Sequence, residues 1–249
     1  MLLEIGSWAI LFTVASFTLP YVIPYYRNKL KQIKSTPVAV FDSSCIRDVQ
    51  QAHIDTIDRS IGQIVNTAGQ LLVTGWACLN LAGLHAYLSL DALMLGFYIY
   101  DTYHILTKPY AKSNQPFVIH HGLTILLIVY LYILDFPYNT LMNIIYILLE
   151  FSAAAINISN LLIHTYPSSR IGISCSFINL SIYIITRIVI YPILLVYTTH
   201  YVYVITTTTY MFYLCFPPLI ILYLLFGTCI YWCSGMIAKH RALKQKLIL

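Results

Sequence analysis

Charge is the scarcest component of this sequence: Asp, Glu, Lys and Arg together make up 9% of its 249 residues. An average soluble domain carries roughly 25% charged residues. A water-soluble fold of this length could not cover itself with so few, so lipid must be the solvent for much of the surface. Metal-binding cysteine patterns are missing as well. The six cysteines, Cys45, Cys78, Cys175, Cys215, Cys229 and Cys233, form no CxxC pair and no Cys/His zinc spacing. All but Cys45 fall in apolar stretches, where a thiol behaves as a small hydrophobe. Neither a disulfide framework nor a metal site follows from them. The eight histidines include one adjacent pair, His120-His121, and no HxxHH box, which argues against a membrane di-iron oxygenase. There is no fixed-period repeat, no low-complexity tract and no sign of a second domain.

What is present is apolar: 59% of the residues are hydrophobic and the mean hydropathy is +0.75. A bilayer core of ~30 Å needs about 20 apolar residues per helix. Candidate spans fall near 5–26, 61–82, 87–106, 117–136, 139–164, 171–196 and 202–234, which predicts an all-α integral membrane protein of about seven transmembrane helices. The second span is the weakest, with Gln63, Asn66 and Gln70 in its first half. Breaks are expected at Lys108-Pro109, Phe136-Pro137, Pro167-Ser168-Ser169 and around Thr198-Thr199-His200. The first span has Glu4 and no basic residue ahead of its apolar run, unlike a secretory signal. It reads as a retained helix that Pro20 and Pro24 kink or end.

Seven spans sort the charges. The loops 27–60, 107–116 and 165–170 and the C-terminal tail then share one side, and they hold 13 of the 14 basic residues; the remaining one, Arg187, lies within a span. The positive-inside rule places that side, with the C-terminus, in the cytosol and the N-terminus in the lumen. Charge spread over loops in this way implies no nucleic-acid partner. The basic tail, residues 236–249, suits anionic lipid headgroups. The connector 27–60 contains Phe41, Cys45, Ile46, Val49, Ala52, Ile54, Ile57 and Ile61 at near-helical spacing. That pattern fits an amphipathic surface helix or an ordinary solvated connector.

Ionisable side chains inside spans cost roughly 2.5–3.5 kcal/mol each at a helix centre, so they mark functional candidates. They are Asp91, Asp101, His104, His120, His121, Glu150 and Arg187, with Asn157, Asn160 and Asn179 as neutral companions. Asp101 and His104 are i, i+3 neighbours on one helix face. Asp101, His104, His120, His121, Glu150 and Asn157 converge on the cytosolic half of the bundle. Adjacent histidines on a helix point about 100° apart, so one can face a cavity while a neighbouring helix holds the other. A neutral imidazole exchanges protons near cytosolic pH, and Asp101 or Glu150 could orient it. A buried network that only fixes helix packing uses the same residue types, so both roles stand at this point. Arg187 needs a counter-charge at its depth, with Glu150 and Asp101 as the natural candidates. Asp91, near the lumenal end, has no expected chemical role.

Four segments resemble the TLC domain family, which includes ceramide synthases, translocating-chain-associated proteins and small lipid-homeostasis proteins. Gly96-Phe97-Tyr98-Ile99-Tyr100-Asp101 resembles the family's Gly-Tyr-Phe-x-x-Asp helix, and Val118-Ile119-His120-His121-Gly122-Leu123-Thr124 its double-histidine segment. Glu150-Phe151-Ser152 followed by Asn157 resembles its Glu-x-Ser-x4-Asn helix, and Arg187-Ile188 the arginine of its sixth core helix. The resemblance implies a six-helix barrel over residues 61–235, preceded by an N-terminal helix over 1–26, around a cavity for a long acyl chain. It also implies an endoplasmic-reticulum location and lipids or fatty acyl chains as partners. For the ceramide synthase type it implies N-acyl transfer from acyl-CoA, a co-substrate rather than a cofactor. His120 and His121 would then be the catalytic pair and Asp101 their partner, with His104, Glu150, Ser152, Asn157 and Arg187 as the supporting polar network.

The sequence departs from the ceramide synthases just after the double histidine. Their acidic, Asn- and Arg-bearing stretch is replaced by Ile125-Leu126-Leu127-Ile128-Val129-Tyr130-Leu131-Tyr132-Ile133-Leu134-Asp135. Two residues after Asn157, where the family often has Arg, stands Ser159. The chain is closer to the small TLC-only proteins. A lipid-binding or lipid-homeostasis role is the first reading and acyl transfer the alternative.

Overall fold

A computed structural model of the chain describes residues 2–24, 26–29, 43–84, 89–107, 115–133, 139–165, 170–206 and 209–248. Among them every regular element is a helix: α1 (Leu2–Val22), α2 (Ser43–Leu81), α3 (Leu90–Leu106), α4 (Gln115–Ile133), α5 (Asn139–Thr165), α6 (Arg170–Tyr183), a π-helical segment (Ile184–Ile190), α7 (Tyr191–Ile205) and α8 (Thr209–Ile248). The segments α6, π and α7 form one continuous rod, so these elements make seven rods. Among the described residues four stretches are long and apolar enough to cross a membrane: Leu2–Val22, Thr140–Leu162, Ile173–Ile205 and Tyr213–Ala242. The helix α3, with 17 residues, and the apolar part of α4, Pro116–Tyr132, are shorter than these four.

Six rods close a ring. In order around it α2 packs on α3, α3 on α4, α4 on α8, α8 on α6, α6 on α5, and α5 back on α2. The helix α1 lies outside the ring against α3 and α2. Large apolar side chains face outward on many rods, among them Phe17, Ile119, Phe177, Ile193, Val196 and Ile230. An apolar exterior around polar interior groups is the arrangement lipid solvation favours. Inside, two buried tyrosines pin the long rod to α8: Tyr183 donates to the Cys229 carbonyl at 2.9 Å and Tyr191 to the Leu222 carbonyl at 3.0 Å. Burying each ring is favourable because its hydroxyl finds a backbone acceptor. Ser159 donates to the Cys175 carbonyl at 3.1 Å and ties α5 to α6.

Several boundaries differ from the sequence reading. Of the two readings of the connector, the helical one holds for residues 43–60, and that helix runs on into the second rod: α2 extends from Ser43 to Leu81 without a break. The rest of the connector, 30–42, lies outside the described residues, as do the expected breaks at Lys108-Pro109, Phe136-Pro137 and Pro167–Ser169. The break expected around Thr198-Thr199-His200 is absent, because these residues are inside α7, which ends at Ile205 with Thr206 as its cap. Each threonine bonds the carbonyl four residues back, Thr198 to Leu194 and Thr199 to Leu195, both at 2.7 Å. A threonine satisfied in that way does not interrupt a helix. Pro20 lies inside α1, which ends two residues short of Pro24.

Gly96 sets how closely α1 approaches the ring. A Cβ there would stand 2.5 Å from Trp8 Cβ and 2.8 Å from the Ile5 carbonyl oxygen. Gly96→Leu is therefore expected to force α1 off α3, at the roughly 1–3 kcal/mol typical of overpacking. The check is the thermal unfolding midpoint in detergent, with Gly75→Leu as control, since nothing lies within 4 Å of a Cβ at Gly75.

Candidate functional site

On α3, Tyr98, Asp101 and Thr102 stand at i, i+3 and i+4, so helical geometry turns them to one face. That face meets His121 on the neighbouring rod α4. His121 Nε2 lies 3.3 Å from Asp101 Oδ2, and its Nδ1 lies 3.3 Å from Thr102 Oγ1. The other carboxylate oxygen, Asp101 Oδ1, accepts from Asn66 Nδ2 of α2 at 2.7 Å. Tyr98 packs edge-on against the His121 ring at 5.2 Å between centroids. The result is a buried imidazole–carboxylate pair held by three rods.

His120 points elsewhere, as one residue of helix rotation requires. Its Nδ1 is 3.3 Å from Thr228 Oγ1 of α8. Its ring meets Trp232 edge-on at 4.9 Å, and Phe117 stacks on the same indole at 4.8 Å. The residues Phe117 and His120 of α4 thus clasp α8 through residues 228 and 232, which are one turn apart.

A second polar centre lies beside the first. Tyr98 donates its hydroxyl to Glu150 Oε1 of α5. Arg187 donates from Nε to Ser152 Oγ at 2.8 Å and from Nη2 to the Leu149 carbonyl. Its Nη1 lies 3.9 Å from Cys229 Sγ, and its guanidinium carbon is 5.4 Å from the Tyr183 ring centroid. The guanidinium is placed by the π-helical segment, where the Tyr191 amide bonds back five residues to the Thr186 carbonyl. Pro192 follows at once. A proline ring clashes with the carbonyl four residues back, here Ile188, and the wider π turn makes room for it.

One cavity of about 620 Å³ joins these groups. Asp101, His104, His120, His121, Glu150, Asn157 and Arg187 all border it. Of the expected site residues Ser152 alone does not border it; it stands behind, fully buried, between Arg187 and the Leu149 carbonyl. His104 is half-buried and sits against Gly62, where a Cβ would be 2.8 Å from its Nε2. The expected ion pair of Arg187 with Glu150 or Asp101 is corrected. Among the described residues the direct partners of Arg187 are neutral, and the hydrogen-bond partner of Glu150 is Tyr98.

The sequence reading missed five side chains that complete the site. Gln63, Asn66 and Gln70 run along α2 at i, i+3 and i+7 and line the cavity. Their spacing was the available signal, since a polar stripe in an apolar rod must face inward. Gln70 also accepts from Asn157 at 3.0 Å, linking α2 to α5. Thr102 and Thr228, which touch the two imidazoles, gave no signal, because threonines are frequent throughout these helices.

The family model of the TLC domain matches residues 72–238. The chain belongs to the TLC domain family. No curated protein and no solved structure matches it. The matched TLC segment runs from within α2 into α8 and carries both histidines, Asp101, Glu150 and Arg187. The glutamine and asparagine stripe at residues 63–70 precedes the match, although it lies on the same rod. With its apolar helices, this TLC domain chain is a membrane protein.

Proposed function

We propose that the chain spans the membrane about seven times and holds the acyl chain of a membrane lipid inside its six-rod ring. In this reading residues 1–26 are an N-terminal transmembrane helix, 61–235 the TLC domain and 236–249 a basic cytosolic tail. The N-terminus lies in the lumen, and the membrane is the endoplasmic reticulum or one derived from it. The supporting observation is the cavity. Its volume lies within the roughly 300–1,000 Å³ of small-molecule sites, and it has a polar cluster enclosed by apolar rods, as an amphipathic ligand requires.

A second reading is favoured by the imidazole–carboxylate pair on that cavity: N-acyl transfer from acyl-CoA to a sphingoid base. The amine nitrogen attacks the thioester carbonyl, forming the C–N bond as the C–S bond breaks. A histidine nitrogen takes the amine proton and returns it to the departing thiolate. No other reactant is needed. The assay is release of CoA thiol from acyl-CoA with a sphingoid base, by wild type and the His120→Ala/His121→Ala double variant. Under this reading the double variant loses turnover by about 10²–10⁴-fold, the usual contribution of acid–base catalysis, and stays folded. Absence of turnover in wild type, with lipid bound, leaves the binding reading alone.

A further inference from the structure

The hydroxyl protons around the two histidines distinguish their roles. A threonine hydroxyl has one proton and two lone pairs. Thr228 Oγ1 donates its proton to the Leu225 carbonyl at 2.7 Å, so towards His120 Nδ1, 3.3 Å away, it can only accept. Thr102 Oγ1 likewise donates to the Tyr98 carbonyl at 2.7 Å and can only accept from His121 Nδ1 at 3.3 Å. Both imidazoles therefore carry a proton on Nδ1. What each Nε2 faces then differs. His121 Nε2 faces Asp101 Oδ2 at 3.3 Å, a contact that requires a proton between the two atoms. His120 has no carboxylate partner among the described residues, and its ring lies on the cavity wall beside Trp232.

We infer that Thr228 and Thr102 are positioning residues that divide the double histidine: His120 presents an unprotonated Nε2 to the cavity, while His121 is locked as a proton-sharing pair with Asp101. The hydrogen bond at one ring nitrogen fixes the state of the other. Of these two histidines, His120 then has the lone pair free to take a proton from a bound amine or hydroxyl. His121 supplies the adjoining fixed dipole and cannot act as a base without breaking its pair. The inference rests on the cavity being the working site, but the spectroscopic test that decides it needs no substrate.

The test is nitrogen and carbon NMR of the full chain with labelled histidine, in detergent micelles, with signals assigned through His120→Asn and His121→Asn. The result expected is one His120 tautomer, protonated at Nδ1 and bare at Nε2, with both His121 nitrogens showing protonated or proton-sharing shifts. Thr228→Val should convert His120 to a mixture of tautomers, and Thr228→Ser should restore the single form. In the acyl-transfer assay Thr228→Val should lower kcat on the order of tenfold with KM unchanged, again restored by serine. A wild-type His120 protonated at Nε2, or a His121 with a bare nitrogen, overturns the inference. The wild-type spectrum suffices for that even if Thr228→Val does not fold. The expected tautomers in a protein with neither bound lipid nor turnover would sink the proposed function while leaving this assignment intact.

Discussion

Arg187→Ala is expected to destabilise the fold by about 2–4 kcal/mol, because one side chain serves two neighbouring rods. The guanidinium bonds Ser152 and the Leu149 carbonyl on α5, and it contacts Cys229 on α8 and the Tyr183 ring. Hydrogen bonds to a charged donor contribute about 1.5–3 kcal/mol each, and truncation also leaves an unfilled space that the surrounding rods cannot close. The loss should appear as a fall on the order of 10 °C in thermal midpoint in detergent. Arg187→Lys keeps the charge but not the planar fork that serves three partners at once, so it should fall between wild type and Ala. Equal midpoints for Ala and wild type would mean that Arg187 does not join α5 to α8.

Ala153→Trp is expected to abolish lipid binding while leaving the rods in place. Ala153 borders the cavity on α5 and is half-buried. An indole there would fill space that the proposed acyl chain needs, whereas the polar groups of the cavity keep their own hydrogen bonds. Bound lipid per protein, measured by mass spectrometry after purification in mild detergent, should drop at least tenfold, beyond the roughly 1.4 kcal/mol that one tenfold step represents. The same bound lipid in Ala153→Trp and wild type would place the lipid outside this cavity.

The charged part of the site was legible because lipid makes charge expensive. Asp101, His120, His121, Glu150 and Arg187 each stand out in an apolar run, and a single shared interior is the least costly place for all of them. The neutral part was not. Gln63, Asn66 and Gln70 lower the hydropathy of α2 and so read first as a weak span, although their i, i+3, i+7 spacing marks a cavity-facing stripe. The partners of Arg187 were misread for a related reason. Charge alone suggests a carboxylate, whereas the π turn ahead of Pro192 aims the guanidinium at Ser152 and a carbonyl. The internal bonds of Thr198 and Thr199 hid the continuity of α7, and the polarity of residues 43–60, whose helical spacing was visible, hid their continuity with the span that follows.

The central claim is that an acyl chain occupies the ring, and photo-crosslinking tests it most directly. The purified protein would be loaded with a fatty acid bearing a diazirine near the end of its chain, irradiated, digested and mapped by mass spectrometry. The adducts are predicted on cavity-lining residues such as Phe97, Ile105 and Ile156, and excess unlabelled lipid should compete them away. Adducts confined to outward residues such as Phe17, Ile193 and Val196, with no effect of competitor, would contradict it.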